Sequence, residues 1–200
     1  MPQPTAHARS AGHPFGKLAG LLLVAALGYI GDRHHQNTVA MKLREHDLLP
    51  AIQAAAENHG LPAELVRAVV WKESRFDPQC VGTKGEIGLM QITGGAVQDW
   101  ARVTRQSLPG QAELFQPEKN LEIGCWYLAR CRNHWEGYAA QEILQLAEYN
   151  AGRTKVLKDW APEHPETQVP LENISYPGTR SYIRQIQERR EHYRRSANEF

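Results

Sequence analysis

The chain has 200 residues, enough for one domain with an appendage and a real hydrophobic core. Its 42% hydrophobic and 22% charged residues match an ordinary soluble globular protein, and a formal net charge of +1 argues against wholesale nucleic-acid binding. There is no internal repeat and no long low-complexity tract, so solenoid and disordered classes are set aside.

Taken in chain order, the first feature is an export pattern. Arg9 and Lys17 precede an uncharged apolar run over residues 18–30, and no acid occurs before Asp32. The run is short against the roughly 20 residues of a membrane span and suits the core of a signal peptide, with Ala26-Leu27-Gly28 as a small-residue cleavage site. Phe15 and Gly16 extend the apolar stretch enough to keep an uncleaved inner-membrane anchor open. No cysteine closely follows the run, which argues against lipid attachment there. The expectation is export to the cell envelope or periplasm. Residues 1–30 serve as signal or anchor, 31–46 as a polar linker, 47–195 as the folded domain and 196–200 as a tail.

The folded region reads as helices. Leu48, Ile52, Ala55 and Ala56 form an amphipathic stretch that Gly60 ends, and Pro62 opens the next helix. In that helix Leu65, Val69 and Glu73 follow at i, i+4, i+8, with Val66 and Val70 beside them. Glu73 therefore stands on the buried face near the carbonyl end of the helix, and both placements disfavour its charged form. A carboxyl so placed keeps its proton near neutral pH, as a general acid must; the plain alternative is a core Glu with a local partner. Asp77-Pro78 and Gly82, Gly85 and Gly88 predict an irregular stretch with at most a short hairpin. Helices are expected from near Thr93, over residues 120–134, over residues 142–149 up to Gly152, and from about Thr179 to the end. Residues 159–177, rich in Pro and polar side chains, read as a surface excursion. No strand ladder appears, so the fold class is all-α.

Two further features stand apart from the helix pattern. The last helix sets Tyr182, Ile183, Ile186 and Tyr193 on one side and Arg184, Arg189, Arg190, Arg194 and Arg195 elsewhere, interleaved with Glu188 and Glu191. That mixture suits contact with an anionic wall or membrane surface better than nucleic acid. Cys125 and Cys131 sit about 9 Å apart on one helix, too far to bridge, whereas Cys80 could pair with either. Cys131 and His134 are i, i+3 neighbours, but two further zinc ligands are not in view, and no metal or organic cofactor is implied.

Four blocks in fixed order carry a resemblance. They are Glu73-Ser74-Arg75-Phe76-Asp77-Pro78, Gly85-Glu86-Ile87-Gly88-Leu89-Met90-Gln91-Ile92, Pro117-Glu118-Lys119-Asn120-Leu121-Glu122-Ile123-Gly124 with Tyr127-Leu128, and Ala147-Glu148-Tyr149-Asn150-Ala151-Gly152; Thr179-Arg180-Ser181-Tyr182-Ile183 follows. Together they closely resemble the catalytic domain of the soluble lytic transglycosylases, in the lysozyme-like superfamily, over roughly residues 48–193. The resemblance implies non-hydrolytic cleavage of the β-1,4 bond between N-acetylmuramic acid and N-acetylglucosamine in peptidoglycan, leaving a 1,6-anhydromuramyl end. It implies Glu73 as the single acid/base, Ser74 as an orienting hydroxyl, Met90 and Gln91 as cleft wall, Tyr149 and Asn150 as the pair facing the acid, and Tyr182 as the aromatic closing the cleft.

The chain also departs from the family pattern. Gly178 replaces a common Glu, Glu86 a small residue, Glu148 an Ala, Gly82 a Ser, Cys80 an Ala and Gln116 an Asp. Glu86 and Glu148 are therefore candidates for the polar role lost at Gly178, or for the second carboxylate of a hydrolytic muramidase. A glycan-binding module without catalysis is the reading from another class, opposed by the intact Glu73 block.

Overall fold

The computed structural model describes residues 14–197. Eight α-helices are present among them: α1 (Pro14–Asn58), α2 (Ala63–Ser74), α3 (Gly94–Thr104), α4 (Gln111–Leu114), α5 (Pro117–His134), α6 (Gln141–Ala151), α7 (Arg153–Asp159) and α8 (Pro177–Ala197). A 3-10 turn, Leu171–Asn173, interrupts the excursion between α7 and α8. The all-α class holds. In place of a hairpin the loop after α2 has two isolated antiparallel bridges, Val81 with Ile87 and Ile87 with Ile92.

The chain divides into two compact units, Met1–Lys42 and Leu43–Phe200. In the first, the described residues are helical backbone of α1, including the stretch expected as a linker; no proline interrupts α1 before Pro50. Residues 1–13 of the expected signal or anchor, and 198–200 of the tail, lie outside the described residues. No helix among the described residues is long and apolar enough to cross a membrane.

In the second unit α2 packs on α8, α6 bridges α5 and α8, and α3 and α4 lie on α5. The i, i+4 pattern of α2 becomes core: Leu65, Val66, Ala68, Val69 and Val70 are all buried. Tyr182, Ile183, Ile186 and Tyr193 of α8 are buried as the apolar side expected of that helix. Pro62 stands at the N-cap of α2 in extended backbone, and Glu64 in the first turn and Lys72 in the last suit the helix dipole. Glu73 opposes it. Thr93 caps α3, its hydroxyl accepting from the Ala96 N–H at 3.2 Å.

Three of the six arginines of α8 are paired with carboxylates. Arg190 pairs with Glu64 and Glu142, Arg194 with Glu64 and Arg195 with Glu191. The cysteines are all free, so Cys80 pairs with neither Cys125 nor Cys131.

Candidate active site

Glu73 is the penultimate residue of α2, and the helix ends there because the backbone turns left-handed at two successive non-glycine residues, Arg75 (φ 56°) and Phe76 (φ 60°). Such residues are uncommon and each costs free energy. Here the turn is held by the fully buried Phe76 ring and by the Arg75 N–H donating to the Trp71 carbonyl at 3.2 Å. Ser74 is buried, and its hydroxyl faces the Val70 carbonyl (3.2 Å) and the Leu89 carbonyl (2.9 Å). Of the two roles expected of this hydroxyl, orienting the acid or the substrate, the geometry fits the first. Ser74 joins the end of α2 to the loop forming the opposite wall, and so fixes Glu73 through the backbone.

The Glu73 side chain projects into a pocket of about 260 Å³ lined by Gly82, Thr83, Glu86, Gln91, Thr93, Tyr149 and Asn150. The Tyr182 hydroxyl donates to Glu73 Oε1 at 2.7 Å, while Oε2 has no hydrogen-bond partner among the described residues. Burial is the largest influence on Glu73 and raises its pKa from 4.5 to about 7. The Tyr182 hydrogen bond and the Lys72 charge work against the rise, and the Glu86 charge adds to it. The Tyr182 phenol itself is pushed well above its ordinary value, by burial first and then by the Glu73 charge, so it stays a donor.

The second wall hangs on a residue not singled out in the sequence. Asn120 of α5 is fully buried; its Oδ1 accepts from the Met90 N–H (2.8 Å), and its Nδ2 donates to the Ile87 (2.9 Å) and Leu114 (2.8 Å) carbonyls. One side chain thus satisfies three backbone groups of an otherwise irregular segment. Gly88 (φ 76°) is required beside it, since a Cβ there would collide with the Asn120 amide. The sequence signal was available: Asn120 stands in the third block, next to Gly124, where a Cβ would collide with the Met90 side chain.

Met90 is therefore not a cleft contact. Its side chain is fully buried against α5, with Cys125 Sγ 3.9 Å from its sulfur, and only its carbonyl serves the site by accepting from the Tyr149 hydroxyl at 2.9 Å. Tyr149 and Asn150 share the pocket with Glu73, as the pair expected to face it, but the phenol hydrogen-bonded to the acid belongs to Tyr182. Tyr149 lines the pocket with its ring against Tyr127, centroids 5.6 Å apart. Gln91 (φ 48°) lines the pocket too, its amide N–H groups donating to the Cys80 (3.1 Å) and Gly88 (3.0 Å) carbonyls. Asn150 Oδ1 accepts from Thr179 Oγ1 at 2.8 Å, which ties α6 to α8 and leaves the amide Nδ2 at the pocket without a partner among the described residues. Thr83 and Thr93 complete the lining and were missed by sequence reasoning, Thr93 being readable only as a helix cap.

The two unusual carboxylates part company. Glu148 is turned away from the cleft and is only 1% exposed; its oxygens meet His134 Nδ1 (2.6 Å) and Trp135 Nε1 (2.8 Å). A step of one residue on a helix rotates a side chain by about 100°, so Tyr149 faces the pocket while Glu148 faces α5. Glu148 is thus removed from both roles weighed for it. His134, which paired with Cys131 in a conceivable metal site, is engaged by that carboxylate instead. Glu86 does line the pocket, its Oε2 accepting from the Lys84 N–H at 2.9 Å. A Cβ at Gly82 would collide with Glu86 Oε2 and Gln91 Oε1, so the Glu86 carboxylate occupies the space a side chain at 82 would need.

A single buried, proton-retaining carboxyl across a cleft from an aromatic and amide wall matches the family block order, and the model of the transglycosylase SLT domain family covers residues 50–167. The chain belongs to that family. Among relatives of this SLT domain, membrane-bound lytic murein transglycosylase C of Pectobacterium atrosepticum is 26% identical over 172 residues, covering 76% of this chain and 48% of the relative. Membrane-bound lytic murein transglycosylase F of Desulfosudis oleivorans is 35% identical over 106 residues, covering 52% of this chain and 21% of the relative. The SLT domain also superposes on the X-ray structure of an inactive mutant of lytic transglycosylase Slt from Pseudomonas aeruginosa with TM-score 0.65 and 27% identity, over 74% of this chain and 24% of that one. The Escherichia coli 70 kDa soluble lytic transglycosylase, at 22% identity and TM-score 0.63, shares the fold. This chain spans about half the length of the transglycosylase C relatives and about a quarter of the solved structures.

Proposed function

We propose that this chain is a peptidoglycan lytic transglycosylase that cleaves the bond between N-acetylmuramic acid and N-acetylglucosamine without water. The observation that carries the reading is Glu73: one buried carboxyl with its pKa raised to about 7, one oxygen held by Tyr182 and the other free toward the pocket. Protonated, Glu73 donates to the glycosidic oxygen as its bond to C1 breaks. The substrate's own N-acetyl group stabilises the cationic carbon. The carboxylate then takes the proton of the C6 hydroxyl as that oxygen bonds to C1, closing the 1,6-anhydro ring and returning Glu73 to its acid form. Tyr182 leaves Oε2 for the proton transfers and stabilises the carboxylate that exists between them. The Asn150 amide and the Gln91 wall are suited to the sugar N-acetyl and hydroxyl groups. The names of the relatives support the same substrate and reaction.

One observation favours a second reading: Glu86 lines the same pocket, and a second carboxylate is what a hydrolytic muramidase needs. Carboxyl groups about 6.5–9.5 Å apart admit an attacking water, and about 5–5.5 Å suits a covalent nucleophile. The test is mass spectrometry of muropeptides released from purified peptidoglycan. Products lighter by one water than hydrolytic ones carry the anhydro ring and support the transglycosylase. Reducing muramic-acid ends would assign the enzyme to hydrolysis, with Glu86 as the second group. Retained binding without products would leave a glycan-binding module.

The catalytic domain is placed at residues 47–195, acting on the wall from the envelope side, with residues 18–30 as export signal or inner-membrane anchor. The word "membrane-bound" in the relatives' names supports that location. Fractionation of cells expressing the full chain, compared with a chain carrying charges within residues 18–30, tests it; cytoplasmic retention of the unaltered chain would refute it.

A further inference from the structure

Glu86 lines the catalytic pocket at a position where the family pattern has a small residue, and its surroundings leave it unneutralised. Among the described residues it has no ion-pair partner. Its side chain accepts one hydrogen bond there, from the Lys84 N–H to Oε2 at 2.9 Å, and Oε1 has none. Glu86 is half-buried, so water solvates its charge only in part.

The group beside it is also an acceptor. Gln91 Nε2 donates to the Cys80 and Gly88 carbonyls, at 3.1 and 3.0 Å, which uses both amide hydrogens and fixes the direction of Oε1. Gln91 Oε1 and Glu86 Oε2 both crowd the place that a Cβ on Gly82 would take, so the two oxygens border one spot of the pocket wall. A hydroxyl or an acetamido N–H can donate to such a pair, but it leaves the Glu86 charge uncompensated. The Glu86 charge acts on Glu73 too, and Glu73 becomes a second carboxylate during the proposed reaction. A protonated amine brings three donors and a positive charge, and so meets both needs.

We propose that Glu86 and Gln91 Oε1 form a subsite for an ammonium group, and that this chain prefers glycan strands carrying a free amine there. The choice of substrate rests on the transglycosylase reading of the pocket; the ammonium contact itself rests on the two oxygens. The muramic N-acetyl group is used in the proposed chemistry and must stay in place. The amine therefore belongs either to a glucosamine residue that has lost its acetyl group or to a diamino acid of the stem peptide.

The experiment uses soluble tetrasaccharides of alternating N-acetylglucosamine and N-acetylmuramic acid in matched pairs. One pair lacks peptide and differs in whether its glucosamine nitrogens are acetylated; the other carries a stem peptide whose diamino-acid amine is free or acetylated. Affinities are measured by calorimetry on Glu73→Gln, which binds without turnover, at about pH 5.5, above the ordinary carboxylate range and below that of amines. Release of anhydro products by the unaltered chain gives kcat/KM for the same compounds. In one pair the free amine is expected to bind about tenfold or more tightly than its acetylated partner, the effect of a charge-assisted contact, and kcat/KM follows. With Glu86→Gln added the two members bind alike, with Glu86→Asp part of the preference returns, and with Glu136→Gln, an exposed acid elsewhere, all of it is kept. Preference in the first pair assigns the sugar amine, and in the second the stem-peptide amine. Equal binding within both pairs, or a preference that survives Glu86→Gln, overturns the subsite. A Glu86-dependent preference in binding, with no anhydro product from any compound, overturns the transglycosylase reading and leaves the subsite standing.

Discussion

Removing the Tyr182 hydroxyl isolates the feature on which the proposed chemistry rests. In Tyr182→Phe the 2.7 Å hydrogen bond to Glu73 Oε1 is lost, while the buried ring and the surrounding helices are kept. That bond is the largest influence holding the Glu73 pKa down; burial, the largest of all, pushes it up. A hydrogen bond to a charged group contributes about 1.5–3 kcal/mol, which at 1.36 kcal/mol per unit is a further rise of about one to two pKa units. The Lys72 and Glu86 charges, which oppose one another at Glu73, are unchanged by the substitution. Glu73 must start protonated, so activity falls as pH rises through its pKa. In the unaltered chain this descending limb is expected at about pH 7, and in Tyr182→Phe at about pH 8 to 9. The same loss destabilises the carboxylate formed in the first step, so the rate at the optimum drops by about tenfold or more. Initial rates of muropeptide release, measured across the limb for both chains, decide the matter. A limb that stays at about pH 7 in Tyr182→Phe would refute the assignment of Glu73 as the acid tuned by Tyr182.

Further expectations follow from the same geometry. Because the folded-state pKa of Glu73 is raised from 4.5 to about 7, the folded chain binds the extra proton between those values, and this residue's contribution to stability falls as pH rises through that window. Glu73→Gln, inactive, is accordingly more stable than the unaltered chain above pH 7 by up to about 3 kcal/mol and equal to it well below pH 4.5, as read by urea denaturation at the two pH values. Glu86→Gln removes a like charge, so the limb moves to slightly lower pH with anhydro products retained; loss of all product would instead make Glu86 a reacting group. Asn120→Ala strands the Met90 N–H in the interior, takes the side-chain donor from the Leu114 carbonyl and leaves the Ile87 carbonyl only its bond from the Ile92 N–H; it costs about 2–4 kcal/mol, measured as a lowered denaturation midpoint with disproportionate loss of activity. Glu148→Ala leaves His134 and Trp135 without their acceptor and lowers stability by about 2–4 kcal/mol while the descending limb of activity stays in place.

Much of this protein is legible in the residues in order. The spacing of Leu65, Val69 and Glu73 is a property of one helix, and a helix whose apolar stripe carries an acid announces that acid without any knowledge of its neighbours. The other long helices follow from the same periodicity, and their stops at Gly60, Gly152 and the turn after Ser74 are local. The short α4 and α7 were missed because helices of 4 and 7 residues hold too few turns to show a period.

What the linear sequence could not decide is which side chain spans from one helix to another. Tyr182 and Tyr149 are both phenols near the cleft, and only the packing of α8 on α2 gives the acid to the first while the Met90 carbonyl takes the second. Met90 and Ser74 sit in the recognisable blocks, yet tertiary contact turns one into core and the other into a fastening between helix and loop. Glu86 and Glu148 look alike as extra carboxylates near the blocks; a fold that closes α5 on α6 buries the second beneath His134 and Trp135 and leaves the first in the pocket. Periodicity and local turn chemistry act over a few residues, so the sequence alone determined the helices and the acid. Hydrogen-bond partners 59 and 109 residues apart are chosen by how helices cross, and only the tertiary structure decided those.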